Sequence, residues 1–252
     1  MVTRKSRQEI ERMRQAGRIV AEVLALVESE LKPGTSTAHL DQIAEKHIRA
    51  AGATPSFKGY GGHRNPFPAS LCISIDDEVV HGIPGQRTIK EGQIVSIDAG
   101  AIVDGWHGDG ARTFIVGRPD PKVKELVDTT RLALMAGIAA ARPGARIGDI
   151  SAAIEDVARP YGYGIVRHFV GHGIGTEMHQ EPQVPNYRVG PKGMELVPGI
   201  CLAIEPMLTL GSHEVAVKPD GWTVVTRDGS LAAHFEHTIA VTDNGPEILT
   251  TV

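Results

Sequence analysis

Read as hydrophobic and polar positions, the chain runs twice through one order: helical periodicity first, strands second. Residues 6–31 place Ile10, Met13, Ile19, Val20, Val23, Leu24, Val27 and Leu31 at helical spacing, and Lys32-Pro33-Gly34 stops that helix. A second helix is expected over 37–50. A loop rich in Gly, Pro and Asn (52–69) leads into SLCISIDDEVV and QIVSIDAGAIVDGWHGDGARTFIVG, both with strand character. Helices return over 121–141 and 148–161. The rest is again strand-like, most clearly in VPGICLAIEPMLTL, GWTVVT and HFEHTIAVTD.

The repeated order has matching residues beneath it. LKPGTSTAHLDQIAEKHI (31–48) resembles ARPGARIGDISAAIEDVA (141–158), an offset of 110 residues from Leu31 to Ala141. EGQIVSID (91–98) resembles PGICLAIE (198–205), an offset of 107 from Glu91 to Pro198, each an apolar strand ending in a carboxylate. Offsets this similar predict one internal duplication. The chain is therefore expected to be a single α+β domain of two related halves, roughly 1–117 and 118–252, with a cleft at their junction where a site belongs.

Composition narrows the function classes. With 41% hydrophobic and 22% charged residues in 252, the chain can bury a sizeable core and is not a disordered sequence. The net charge of -4 contains no long run of one sign, and the basic cluster TRKSR at 3–7 reads as a solvated N-terminus. No nucleic-acid partner is expected. Neither a signal-peptide core nor eighteen consecutive apolar residues occurs, so no membrane partner is expected and the location is taken as cytoplasmic. Cys72 and Cys201 stand far apart, without a CxxC pair, which suggests neither a disulfide framework nor a zinc ribbon.

The chemistry lies where acids interrupt apolar strands. Asp98 sits in VSIDAGAI, and a turn around Val103-Asp104-Gly105 returns the chain past Asp109. A turn at Asp104-Gly105 sets Asp98 opposite Ala111 and diagonal to Asp109; a turn one residue earlier opposes the two acids directly. Either register brings the carboxylates within roughly 5 to 8 Å. Like charges so close on a covered sheet need a proton or a cation between them. Glu205, before Pro206, and Glu236, between Phe235 and His237, repeat the situation in the second half. VGHGIGTEMHQEP (170–182) adds His172 and His179, seven apart in a segment too rich in glycine for one continuous element, so a strand running into a loop should aim each imidazole separately. Four carboxylates and His172 suit divalent Mn, Fe, Co or Zn, and four negative charges balance two such ions.

IDAGAIVDGWHGD, GHGIGTEMHQEPQV, IEPM and HFEHTIAVTDNGPEIL, with VHGIP at 80–84 and DGWTV at 220–224, are similar to the type I methionine aminopeptidases over nearly the whole chain. The resemblance implies the pita-bread fold of two pseudo-symmetric α+β halves. It implies two divalent metals held by Asp98, Asp109, His172, Glu205 and Glu236, with Asp109 and Glu236 bridging. It makes His81 and His179 catalytic without binding metal, and Glu205 both ligand and proton carrier. Cys72, Met178 and Trp222 would line the methionine pocket. The implied activity is removal of the initiator methionine from nascent chains with a small second residue, with the ribosome a possible partner and the chain a monomer.

Met178 departs from the phenylalanine of many relatives, and the loop GYGGHRNPFPAS is longer than in some, so Tyr60, His63 and Phe67 have no aligned role. His63 reads as a solvated loop residue. His39 and His47 read as helix-surface residues, and His107, His213, His234 and His237 carry no assigned role. The alternatives are an Xaa-Pro aminopeptidase or prolidase, whose relatives usually carry an added N-terminal domain, and a non-catalytic binding module, which the complete ligand set opposes.

Overall fold

The computed structural model describes residues 2–252. Helix α1 (Arg7–Glu30) starts at a reciprocal cap: Ser6 Oγ accepts from the Glu9 amide, and the Glu9 carboxylate accepts from the Ser6 N–H, satisfying two donors that helix geometry leaves free. Helix α2 (Thr37–Ala50) is capped by Ser36, and α3 (Pro121–Ala140) by Asp120 with proline at its first turn. Helix α4 (Ile147–Ala158) is shorter than expected. Its last predicted turn, Arg159–Tyr161, is a 3₁₀ turn, because Pro160 has no amide hydrogen to continue an α-helical ladder.

The main sheet has nine antiparallel strands. Its path runs Thr54–Pro55, Ile94–Val103, Trp106–Ile115, Glu236–Thr242, Cys201–Ile204, Gly171–Gly173, Gln180–Val184. Leu71–Ile75 adds to Ile94–Val103, and Gly245–Ile248 adds to Glu236–Thr242. In the middle of the path Trp106–Ile115 pairs with Glu236–Thr242, joining the N-terminal and C-terminal parts of the chain. Helices cover one face of this sheet. Val20, Val23, Leu24 and Leu40 pack on Ile73, Ile97 and Ala99, while Leu126, Leu134, Ile150 and Ile154 pack on Leu202, Ile204 and Ile239. Alternation along each strand then turns the neighbouring positions to the face opposite the helices. Helix α1 approaches closely enough that a Cβ on Gly108 would lie 2.5 Å from the Gly17 nitrogen.

The Asp104-Gly105 turn settles the hairpin register. Both residues have positive φ, 49° and 80°, which matches the right-handed twist of the flanking strands, and Val103 faces Trp106. Two expected strands are broken at their acids. VPGICLAIEPMLTL divides at Glu205-Pro206 into Cys201–Ile204 and Met207–Thr209, which join different sheets, and HFEHTIAVTD divides at Phe235. Two small three-stranded sheets, one holding Ala232–His234, Met207–Thr209 and Gly164–Ile165, the other Val215–Val217, Val224–Thr226 and Glu78–Val80, flank the main one.

Of the basic N-terminal segment, Thr3, Arg4, Ser6 and Arg7 are exposed as expected, and Lys5 alone departs from the solvated reading. Lys5 is buried, its amide donates to Gly199 O, and its ammonium donates to Gln180 Oε1 at 3.2 Å. Burial lowers its pKa from the ordinary lysine value. His47 lies on the surface of α2 as expected, half-buried, with its Nε2 3.1 Å from Glu22 Oε2 of α1. Among the described residues, no helix is long and apolar enough to cross a membrane.

Candidate metal centre and its pocket

Register alone gathers the candidate ligands. Cys72 lies opposite Asp98, Asp98 opposite Ala111, and Ala111 opposite Glu236, so these side chains share one face in a row across four strands. Asp109 stands two residues from Ala111 and joins that face. In the second half Thr238 lies opposite Ala203 and Ala203 opposite His172, with Glu205 two residues beyond Ala203 where the strand breaks. The Asp109 amide donates to Thr238 Oγ1 at 2.9 Å, and that hydroxyl donates to Asp109 O at 2.8 Å. All five predicted ligands therefore meet on the face opposite the helices.

Ligand atoms of Asp109, His172 and Glu236 lie within 4.8 Å of one another. His172 Nε2 is 3.6 Å from Glu205 Oε1. His172 Nδ1 lies 2.9 Å from Gly173 O; donating there places the ring hydrogen on Nδ1 and leaves the Nε2 lone pair facing the acids. No lysine or arginine pairs with the four acids among the described residues, and Asp98 Oδ1, Asp109 Oδ1 and Glu236 Oε1 are buried without a hydrogen-bond partner. Such a set fits divalent cations, whose charge would supply what the protein leaves out. Without them, burial pushes the Asp109 carboxyl up to about 7. Burial first, and then the charge of neighbouring acids, pushes Asp98, Glu205 and Glu236 well above the usual carboxylate range. Burial drives His172 down to about 3, which keeps it neutral, the form that ligates metal.

The two other predicted histidines border the same space. His81 follows the Glu78–Val80 strand in a left-handed backbone conformation, φ 59°, uncommon for a residue with a Cβ. Its ring stands edge-on to Phe169 at 5.4 Å and to Trp222 at 6.3 Å, and burial lowers its pKa to about 4. His179, just before Gln180–Val184, lies at the exposed rim with its ring 4.3 Å from that of His172. Its Nδ1 is 2.7 Å from the Tyr60 hydroxyl. The segment 170–182 is thus a short strand, a loop and a second strand, as its glycines suggest.

A cavity of about 80 Å³ opens beside the acids, walled by Phe57, Tyr60, Phe67, Cys72, Met178 and Trp222. Cys72, Met178 and Trp222 are the three pocket residues named from sequence; Phe57, Phe67 and Tyr60 are additions from the long loop. Phe67 meets Trp222 edge-on at 5.3 Å, and the indole N–H donates to Asn65 O at 3.1 Å. His63 is exposed. Two buried histidines without a sequence-assigned role also sit close by. His107 shares the Asp109 face by alternation and bonds Ser56 Oγ through Nδ1 at 3.0 Å. His234 places Nε2 3.8 Å from Glu205 Oε2. Burial lowers His107 to about 4 and His234 to about 3.

Comparison with known proteins agrees with this geometry. Residues 11–243 match the description of metallopeptidase family M24. The methionine aminopeptidase of Clostridium acetobutylicum is 51% identical over 251 residues, covering 99% of each chain. The crystal structure of methionine aminopeptidase from Thermotoga maritima superimposes with a TM-score of 0.96 at 44% identity, covering 100% of both chains. Prolidase from Pyrococcus furiosus shares the fold alone, with a TM-score of 0.80 at 24% identity over 99% of this chain and 65% of its own. With its acids on one sheet face, its helices on the other and its full length matched, the chain belongs to metallopeptidase family M24, among the methionine aminopeptidases.

Proposed function

We propose that this chain hydrolyses the first peptide bond of methionine-initiated chains with two divalent ions, of Mn, Fe, Co or Zn, held by Asp98, Asp109, His172, Glu205 and Glu236. The observation that carries the reading is the set of unpartnered buried carboxylate oxygens lining a small cavity whose other walls are largely apolar. Bound divalent ions would supply a water activated near neutral pH and polarise the scissile carbonyl. Glu205 takes the proton of the attacking water and carries it toward the leaving nitrogen. His179 donates through Nε2 to the carbonyl oxygen as charge develops there, and His81 contacts the scissile amide nitrogen. Cys72, Met178 and Trp222, with Phe57 and Phe67, surround a linear thioether and offer no charge to a basic or acidic side chain. The same reading treats residues 1–252 as one catalytic domain of two halves, about 1–117 and 118–252, working as a monomer on nascent chains in the cytoplasm, at the ribosome.

Met-Ala-Ser and N-acetyl-Met-Ala-Ser test the reading together, with and without a chelator. Methionine should be released only from the free amine, only with metal present, and faster than from a peptide with a bulky second residue. Equal cleavage of the two peptides, or full activity in a verified metal-free sample, would overturn it.

A further inference from the structure

The loop between Phe57 and Ser70 holds a tyrosine against a catalytic histidine. The Gly59 amide donates to Phe67 O at 2.8 Å, and the Phe67 amide donates to Tyr60 O at 2.8 Å, so the segment closes on itself as a small tied loop. Its outer part is fastened to the Trp222 segment by two bonds, Trp222 Nε1 to Asn65 O at 3.1 Å and Asn65 Nδ2 to Asp220 O at 3.0 Å. Gly61, with φ 91°, leaves no room for a side chain, since a Cβ there would lie 2.6 Å from the Trp222 ring. The loop therefore presents Tyr60 from a fixed base. Its hydroxyl reaches His179 Nδ1 at 2.7 Å, with the two rings 5.2 Å apart and tilted by 52°.

We infer that Tyr60 is a positioning residue: its hydroxyl donates to Nδ1 of His179 and so fixes the imidazole hydrogen on Nε2, the nitrogen left for the substrate carbonyl. The inference rests on the role of His179 proposed above. A neutral imidazole carries one ring hydrogen, and which nitrogen holds it is decided by the partner of the other. With the hydrogen on Nδ1, the Nε2 lone pair would face the carbonyl oxygen and repel it. With the hydrogen on Nε2, the phenol hydrogen and the imidazole hydrogen both find acceptors in the substrate complex. Tyr60 thus acts through His179 from the border of the same cavity.

Nitrogen-15 NMR of the zinc-loaded enzyme, with labelled histidine, reads the tautomer directly; the His179 signal is the one missing from His179→Ala. The wild type should show Nε2–H for His179. Tyr60→Phe keeps the ring and removes the hydroxyl. It should lose that single-tautomer pattern, keep its metal, hold KM for Met-Ala-Ser within roughly twofold and lower kcat roughly tenfold, a smaller loss than removal of His179 itself. A wild-type His179 protonated on Nδ1, or an unchanged pattern in Tyr60→Phe, would overturn the inference. If the tautomer shifts while kcat holds, the positioning role fails because His179 is not the carbonyl donor, and an active His179→Ala enzyme would show that separately.

Discussion

His172 and His179 have adjacent rings but opposite commitments, and substitution should separate them. His172 turns its free lone pair to the acids, because Gly173 O takes the other nitrogen's hydrogen. His172→Ala should therefore lose metal on dialysis. His81→Ala and His179→Ala should keep metal near the wild-type content and lower kcat by roughly 10²- to 10⁴-fold, the range for a general acid or an oxyanion donor. Metal analysis alongside steady-state kinetics checks both, and metal loss from His179→Ala would mean the role is misassigned. Met178 is buried in the pocket wall, so Met178→Phe should change KM for methionine peptides with little effect on kcat or metal. Asp98 and Glu205 were legible in sequence because each interrupts or ends an apolar strand, where a charge has no structural reason to be; Asp109 was legible through the hairpin that returns it beside Asp98, and His172 through its glycine-rich segment. His107 was legible in principle, being two residues from Asp109 on the same strand, but a lone buried histidine is ordinary core until its neighbours are known. Tyr60 was not legible, since a glycine-rich loop has no periodicity to aim a side chain.

At the level of elements, the helices and the long hairpin followed from pattern, while the breaks in strands did not. Apolar runs such as VPGICLAIEPMLTL look continuous, yet Pro206 has no amide hydrogen to extend a ladder, and the chain changes sheets there. Short strands of three residues, such as Val224–Thr226 and Glu78–Val80, offer too few alternations to fix a partner in advance. The hairpin register was open by one residue until Asp104-Gly105 was found in the turn, and that turn decides that Asp98 faces Ala111 while Asp109 is diagonal to it. The close packing of α1 on this hairpin rests on Gly108, while the bare face of Gly17 makes room for Leu249 O. Gly108→Ala should place a Cβ 2.5 Å from the Gly17 nitrogen and force the helix away. A loss of about 1 to 3 kcal/mol in urea unfolding of the metal-loaded protein is expected, the usual cost of overpacking. A change within error would show that α1 can move off the sheet freely.

For the whole molecule, the cluster of buried acids ties stability to pH and metal at once. Asp109 in the metal-free fold is pushed up to about 7, above the ordinary carboxylate value near 3.9, and its three acidic neighbours shift in the same direction. A folded-state pKa above the unfolded one means that the native chain holds protons the unfolded chain has released. That stability is complete below about pH 4 and is lost as pH rises through about 7. The buried histidines act with the opposite sign: His172 at about 3 and His81 at about 4 lie below the unfolded value near 6.5, so they weaken the fold as pH falls below that point. Between about pH 7.4 and 8.2 the unfolded histidines have released most of their protons, so they are close to neutral in both states and the carboxylates set most of the slope. The metal-free protein should therefore lose thermal midpoint steadily across this window. Divalent cations replace the protons between the acids, so the metal-loaded protein should show little slope there, and its gain over the metal-free form should grow with pH. Calorimetry at about pH 7.4, 7.8 and 8.2, with and without Mn²⁺ or Co²⁺, measures both slopes. A metal-free midpoint that is flat across the window would mean that these carboxylates carry their charge without penalty, and that cations are not what brings them together.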